Sequence, residues 1–483
     1  MKKFKKIVSL MLAAAMSFTF VVSQAAAASA ASADSEKVSA ARVWSGKVDT
    51  SWFTKDKTKD VYNISTAEQL AGLSKLVSEN AQGNYFKGVM INLTNDIILN
   101  DTSDWENWKT NPPKNKWEPI GYVGGAINGY RSFSGVFNGN GHTISGMYVD
   151  EKIPEALLSL TSKGAALFTY ISGAAIIDLK IEKSVVSSEG ASAALVAECE
   201  NSYIDGVEVN DVKIYSTKNC VAGGIVGVMK RVNLALPLMY TTLLAFGVAL
   251  NPLYFNEEGG LVTNSCAINC KVVNTDIYVD WDTNPAGMIV GDIMFRGGVY
   301  NSISVNCSIH ASNDIYRKSI EKFGSFCGNF AEDSLDTKNC YSYGFNVYNK
   351  KGKVENPART DESRVKSISK KTLQSSDLAK KLGDKFKYVK NGTPVLSSIN
   401  RYKVKAVLNG STAKLSWTSV KNAKKYKIYY KSNGVYKELT TVETTNAALK
   451  NIKKGSTYSL LIRAFYSDGT YKDVDSGMFT LKA

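Results

Sequence analysis

Histidine is the scarcest chemistry-bearing residue in this chain, represented only by His142 and His310. Two imidazoles in segments so far apart leave little material for a Ser-His-Asp triad or a His-rich metal site. Cysteine is too irregular for a stapled secreted domain: Cys199, Cys220, Cys266, Cys270, Cys307, Cys327 and Cys340 are odd in number and lack framework spacing. Cys266 and Cys270 have no second pair or histidine nearby, which argues against zinc. By strand alternation Cys266, Ile268 and Cys270 share one face, as do Ile303, Val305, Cys307 and Ile309, so the cysteines read as small core hydrophobes. No nucleic-acid-binding motif is recognisable. Nor is an LPxTG-like sorting signal, a C-terminal hydrophobic tail or a lipobox cysteine, so envelope attachment is expected to be noncovalent, or the protein to be released.

The first residues read as an export signal. Lys2, Lys3, Lys5 and Lys6 precede an uncharged apolar run from Ile7 to Val22 and the small-residue stretch QAAAASAASA ending at Ala33. Residues 1–33 are therefore expected to be a signal peptide, cleaved between Ala26 and Ala33, and an exported chain makes nucleic acid an improper partner. The formal net charge of +15 is unevenly spread. Residues 34–350 carry 27 Lys and Arg against 34 Asp and Glu, a balance of −7, whereas 351–400 (12 against 5) and 401–483 (16 against 5) together carry +18. The basic last third is either a solvated lysine-rich surface or an attraction to an anionic envelope polymer such as teichoic acid or membrane headgroups.

Along the chain, Ser65 and Glu68 form a capping-box pattern ahead of Leu70, Leu73, Leu76 and Val77, predicting an amphipathic helix from Thr66 to about Asn80. Strand-like runs follow at 89–99 (VMINLTNDIIL) and 117–121 (WEPIG), then FSGVFNGNGHTISGMYV at 133–149. In NGNGHTI the glycines and asparagines supply positive-φ turn positions, so His142 is expected to be structural. Beyond it a loose repeat appears: GAALFTYISG, SAALVAE, AGGIVGV, AGMIVGD and GSFCGNF align on Leu167, Leu195, Ile225, Ile289 and Cys327. Each core is followed by an alternating run, and such repetition means stacked coils. The spacings are 28, 30, 64 and 38; removing the 28 residues from Arg231 to Glu258 brings 64 to 36, so 231–258 is an insertion within one coil. Its 24-residue uncharged core, 232–255, is long enough to span a bilayer. A span would put successive coils on opposite sides, and Pro237 and Pro252 interrupt it, so a partner or membrane-interface contact is expected instead.

Residues 367–396 carry Leu373, Leu378, Leu382 and Phe386 at near-helical intervals and are expected, within a cap and linker at 351–400, to close the stack. From Tyr402 short alternating strands with turn signals every eight to twelve residues indicate an all-β sandwich at 401–483.

Taken together, ISTAEQLAGL, FSGVFNGNGHTISGMYV and GGIVGV-type repeats followed by a TNSC or KNC strand resemble bacterial surface proteins carrying GLUG repeats on a right-handed parallel β-helix. DLAKKLGDKFKYVKNGTPVL is similar to the tail closing such helices. The C-terminal strands resemble a fibronectin type III domain, with Trp417 as core tryptophan and Tyr458, nine residues after Leu449, as corner tyrosine. The resemblance implies an all-β chain: a parallel β-helix over 44–350 behind an N-terminal capping helix, then a small Ig-like sandwich, exported to the cell surface. It does not imply a reaction.

Catalysis would have to rest on carboxylates, because polysaccharide lyases and hydrolases on β-helices use acidic clusters on one outer face. NTDIYVDWD (274–282) places Asp276, Tyr278, Asp280 and Asp282 on one strand face. Three carboxylates within about 20 Å, at ~3.3 Å per residue, can hold calcium or form an acid–base pair. Asn274, Thr275 and Asp276 match the NTD of polygalacturonases, but that family's paired aspartates, GHG and RIK motifs are absent. The favoured expectation is an adhesin-like, non-catalytic protein presenting a surface to a glycan or protein, with 351–483 tethering it to anionic polymer. The alternatives are a lyase or glycoside hydrolase at Asp276, Asp280 and Asp282, and a structural part of a surface assembly.

Overall fold

The computed structural model describes residues 22–23, 43–80, 85–102, 104–123, 129–152, 164–216, 221–230, 260–274, 285–294, 297–311, 323–330, 337–355, 361, 363–399, 405–417, 419, 423–432, 435–453, 457–465, 467, 471–473 and 479–482. They are mostly β and form two compact units, 34–399 and 400–483 with 1–33. Among the described residues no helix is long and apolar enough to cross a membrane. The insertion 231–258 and nearly all of the expected signal peptide lie outside them.

The larger unit is a stack of parallel strands in register. One rung runs through Ser192–Ala193, Val196–Glu200, Tyr203–Asp205 and Glu208–Ser216; the next through Ala222–Gly223, Val226–Lys230, Leu261–Thr263, Cys266–Ile268 and Lys271–Asn274. Partners are Val196 with Val226, then Tyr203 with Leu261. The offset between rungs thus jumps from 30 (226 − 196) to 58 (261 − 203), so 28 extra residues enter between two consecutive strands of one rung. In the last rung the register differs from the sequence alignment by one: Val290 pairs with Cys327, so Phe326, not Cys327, continues the column of Leu167, Leu195, Ile225 and Ile289. Phe326 and Cys327 are both fully buried and apolar, so hydrophobicity could not separate them.

Corners between strands are made by residues at positive φ. One column holds Asp178, Gly206, Asn264, Asn301 and Asn339; the other, five residues on, holds Lys183, Asp211, Asn269, Asn306 and Gly344. Asparagine tolerates this region because its short amide bonds locally, and the amides join rungs: Asn339 Nδ2 donates to Asn301 Oδ1 at 2.9 Å and Asn269 Nδ2 to Asp211 Oδ1 at 3.1 Å. These corners overturn the simple alternation expected of the cysteine strands. Asn269 sends Cys270 into the stack core while Cys266 and Ile268 face outward; Asn306 does the same for Cys307 and Ile309 against Ile303 and Val305. Six cysteines, all but the undescribed Cys220, are buried.

The repeated glycine has a steric origin. Gly223, Gly287 and Gly324 stack on successive rungs, and a Cβ there would lie 1.6, 2.1 and 1.8 Å from the carbonyl oxygens of Val226, Val290 and Cys327. The preceding rung carries Ala193 in this column.

At the N-terminal end the helix is Ala67–Ser78, with Thr66 rather than Ser65 as its cap: Thr66 Oγ1 accepts from Gln69 N at 3.3 Å. Glu68 is drawn instead to Ser45, whose hydroxyl it accepts at 2.6 Å. Leu70, Leu73 and Val77 bury against the first rungs. The expected 89–99 strand is two, Met90–Leu93 and Ile97–Ile98, and 117–121 contributes only a bridge at Ile120. At the other end, fully buried Asp361 accepts from Phe326 N (2.6 Å) and Ser325 Oγ (3.1 Å), satisfying donors that a further rung would have taken. The tail helices Lys370–Leu373 and Ser376–Leu382 do not lie over that end. Leu373, Leu378, Leu382 and Phe386 pack on Cys266, Ile303, Val305 and Tyr341, along the side of three rungs.

In the C-terminal unit, one antiparallel sheet contains Lys405–Asn409, Thr412–Ser416 and Asn446–Leu449, and the other Lys425–Ser432, Val435–Val442, Thr457–Phe465, Tyr471–Asp473 and Phe479–Lys482. Leu415, Leu449, Ile428 and Ile462 from both sheets share one core with Trp417. Trp417 stands edge-on to Tyr426 at 5.4 Å, and Tyr458 Oη accepts from Lys453 N at 3.0 Å.

Candidate functional site

The sequence-derived cluster Asp276, Tyr278, Asp280 and Asp282 lies outside the described residues. The strand it follows, Lys271–Asn274, belongs to a well-defined outer flank. Val186, Ile214, Val272, Ile309 and Val347 point into the core, so their neighbours face out in two columns. One runs Val185, Lys213, Lys271, Ser308, Asn346; the other Ser187, Tyr215, Val273, His310, Tyr348.

Lys213 and Lys271 stand on adjacent rungs, ~4.8 Å apart along the stacking direction. Lys213 Nζ donates to Glu106 O at 2.8 Å and sits 5.0 Å from the Trp105 ring centroid. Lys109 donates to Ser187 Oγ at 3.1 Å and lies over the Tyr215 ring. Lys271 is half-buried, and among the described residues it has no carboxylate partner. Burial, and then the Lys213 charge, hold its ammonium below the usual lysine range.

His310 stacks on Tyr348, centroids 4.4 Å apart and planes 15° apart, and its Nε2 lies 3.0 Å from Ser308 Oγ. Burial first, then Lys271, push its pKa down to about 4. An imidazole held neutral down to about pH 4 is a weak base, and among the described residues no carboxylate orients the Ser308–His310 pair. His142 is placed differently: Asn140 and Gly141 turn the chain at φ 49° and 74°, and its Nδ1 lies 3.2 Å from Asp96 Oδ1, which also accepts from Thr143 N.

Carboxylates that meet across described rungs are engaged by other side chains. Lys385, from the tail, donates to Asp178 at 3.3 Å and to Asp205, which also accepts from Thr263 and Asn264. Glu198 accepts from Lys230 at 2.6 Å, and Glu200 accepts from Ser172 and the Tyr170 hydroxyl. Burial, then Glu200, push that hydroxyl well above the usual tyrosine range. No group of three His, Cys, Asp or Glu side chains able to hold a metal gathers among the described residues. A pocket of about 360 Å³ opens between the N-terminal helix and the stack, walled by Trp44, Trp117, Ser74 and Tyr122 with Glu118 and Glu151 among its lining. Its size suits a small molecule.

Sequence reasoning named His310 as one of two histidines and missed its company, because Lys213, Lys271 and Tyr348 lie on other rungs. The signal was present as Asn-x₄-Asn, 264 to 269 and 301 to 306, which marks the paired corners that set the outward columns. No protein-family model, curated protein or solved structure matches the chain.

Proposed function

We propose that the chain is an exported, non-catalytic surface protein: a right-handed parallel β-helix with GLUG-like repeats presents a binding face to a glycan or partner protein. A fibronectin type III-like domain follows, and the basic residues of 351–483 tether the molecule to anionic envelope polymer. The observation that carries this reading is the unbroken parallel register from Val61 to Tyr348, which fixes outward columns on a rigid scaffold while the facing carboxylates serve as structural acceptors. The antiparallel two-sheet unit, with Trp417 in its core and Tyr458 bonded upstream, supports the accessory domain.

The test is binding of residues 34–483 to a glycan array and to isolated cell wall, alongside a chain ending at residue 400. Saturable glycan binding by both, with wall binding lost from the shorter, is the expected result. Release of product from any polysaccharide, abolished by Asp280→Asn, would replace this reading with a lyase or hydrolase.

A further inference from the structure

We infer that the flank carrying Lys213, Lys271, Ser308, Asn346, His310 and Tyr348 is the binding strip for a linear acidic polysaccharide, with roughly one carboxylate per sugar, laid along the stacking direction. This rests on the reading of the stack as a non-catalytic binding surface and names its ligand class.

Three observations converge. The first is an uncompensated cation: Lys271 is half-buried beside Lys213 and has no described carboxylate partner, although residues 34–350 carry a net −7. A partly desolvated charge is costly until an opposite charge meets it, and an anionic ligand group would supply that charge. The second is sparse spacing. Two lysines on neighbouring rungs, followed by neutral Ser308 and Asn346, suit a polymer of low charge density, whereas nucleic acid would call for a dense array of phosphate contacts. The third is chemistry alongside the charges: the His310–Tyr348 rings, stacked on each other across two rungs, set an aromatic pair beside the lysines, and the Ser308 hydroxyl and Asn346 amide can bond sugar hydroxyls.

The test uses the mature full chain, with polygalacturonate and its fully methyl-esterified form as probes in affinity electrophoresis. Polygalacturonate is expected to bind and the ester, with the same backbone and no charge, to bind at least about tenfold more weakly. Lys271→Glu should lose on the order of tenfold or more for polygalacturonate, Lys271→Arg should stay within about threefold, and Lys57→Glu, the same charge change at an exposed site of the larger unit away from this flank, should match the parent. Circular dichroism and unfolding midpoints confirm that the variants are folded. If Lys271→Glu is folded and binds like the parent, or if acid and ester bind equally, the strip is not the site and this inference falls while the broader reading stands. If the parent binds no glycan, acidic or neutral, the broader reading falls with it.

Discussion

Lys385 is the residue whose role is least visible from its neighbours in sequence. Its ammonium sits between Asp178 and Asp205, which are 207 and 180 residues away. Burial opposes its charge, but the two aspartates outweigh that and raise its pKa. Lys385→Met would leave two carboxylates facing each other, and since the side chain is one-third exposed the loss is expected at about 1–3 kcal/mol in chemical denaturation. The exposed Lys380→Met should stay within about 0.5 kcal/mol. His310 supplies the pH counterpart. Its pKa of about 4 lies below the ~6.5 of an unfolded histidine, so between those values the unfolded chain binds the extra proton. The contribution of His310 to stability is therefore complete above about pH 6.5 and is lost as pH falls toward 4. An NMR titration should find one imidazole near 4; Lys271→Gln should raise that value only partway, because burial is the larger cause.

At the scale of elements, the glycine column explains why the repeat is written as it is. Gly223, Gly287 and Gly324 let each short strand approach the carbonyl three residues on, while the preceding rung carries Ala193 in the same column. Gly287→Ala is expected to destabilise the stack by about 3 kcal/mol or more, since only a backbone shift relieves a 2.1 Å contact. The two-sheet unit, with its own core, should unfold separately and unchanged in that variant. The helix and the tail show the limits of pattern reading. Helical spacing located both, but a one-residue shift of the N-cap and the placement of the tail on the side of three rungs follow from partners such as Ser45 and Cys266 that local periodicity does not encode.

For the whole molecule, charge is divided between a mildly acidic stack and a strongly basic last third. Wall binding carried by 401–483 should weaken steeply between about 50 and 200 mM salt, whereas glycan binding by the stack, resting on two lysines, should change far less. Measuring both against salt for the full chain and for residues 34–400 checks the division of labour.

Several features were set by the sequence alone: a β-rich chain of repeated rungs, 28 extra residues between two strands of one rung, the turn at Asn140 and Gly141, and a second strand-rich segment with Trp417 and Tyr458. These are legible because each depends on local conformational preference or on a repeat that recurs about every 28 to 38 residues. Which face each residue occupies was decided only in three dimensions. Asn269 and Asn306 at positive φ reverse the alternation that would otherwise put Cys266 with Cys270, and rung stacking brings Lys213, Lys271 and His310 onto one strip. Local preference acts over a few residues, whereas burial and charge compensation act between whatever the fold brings together.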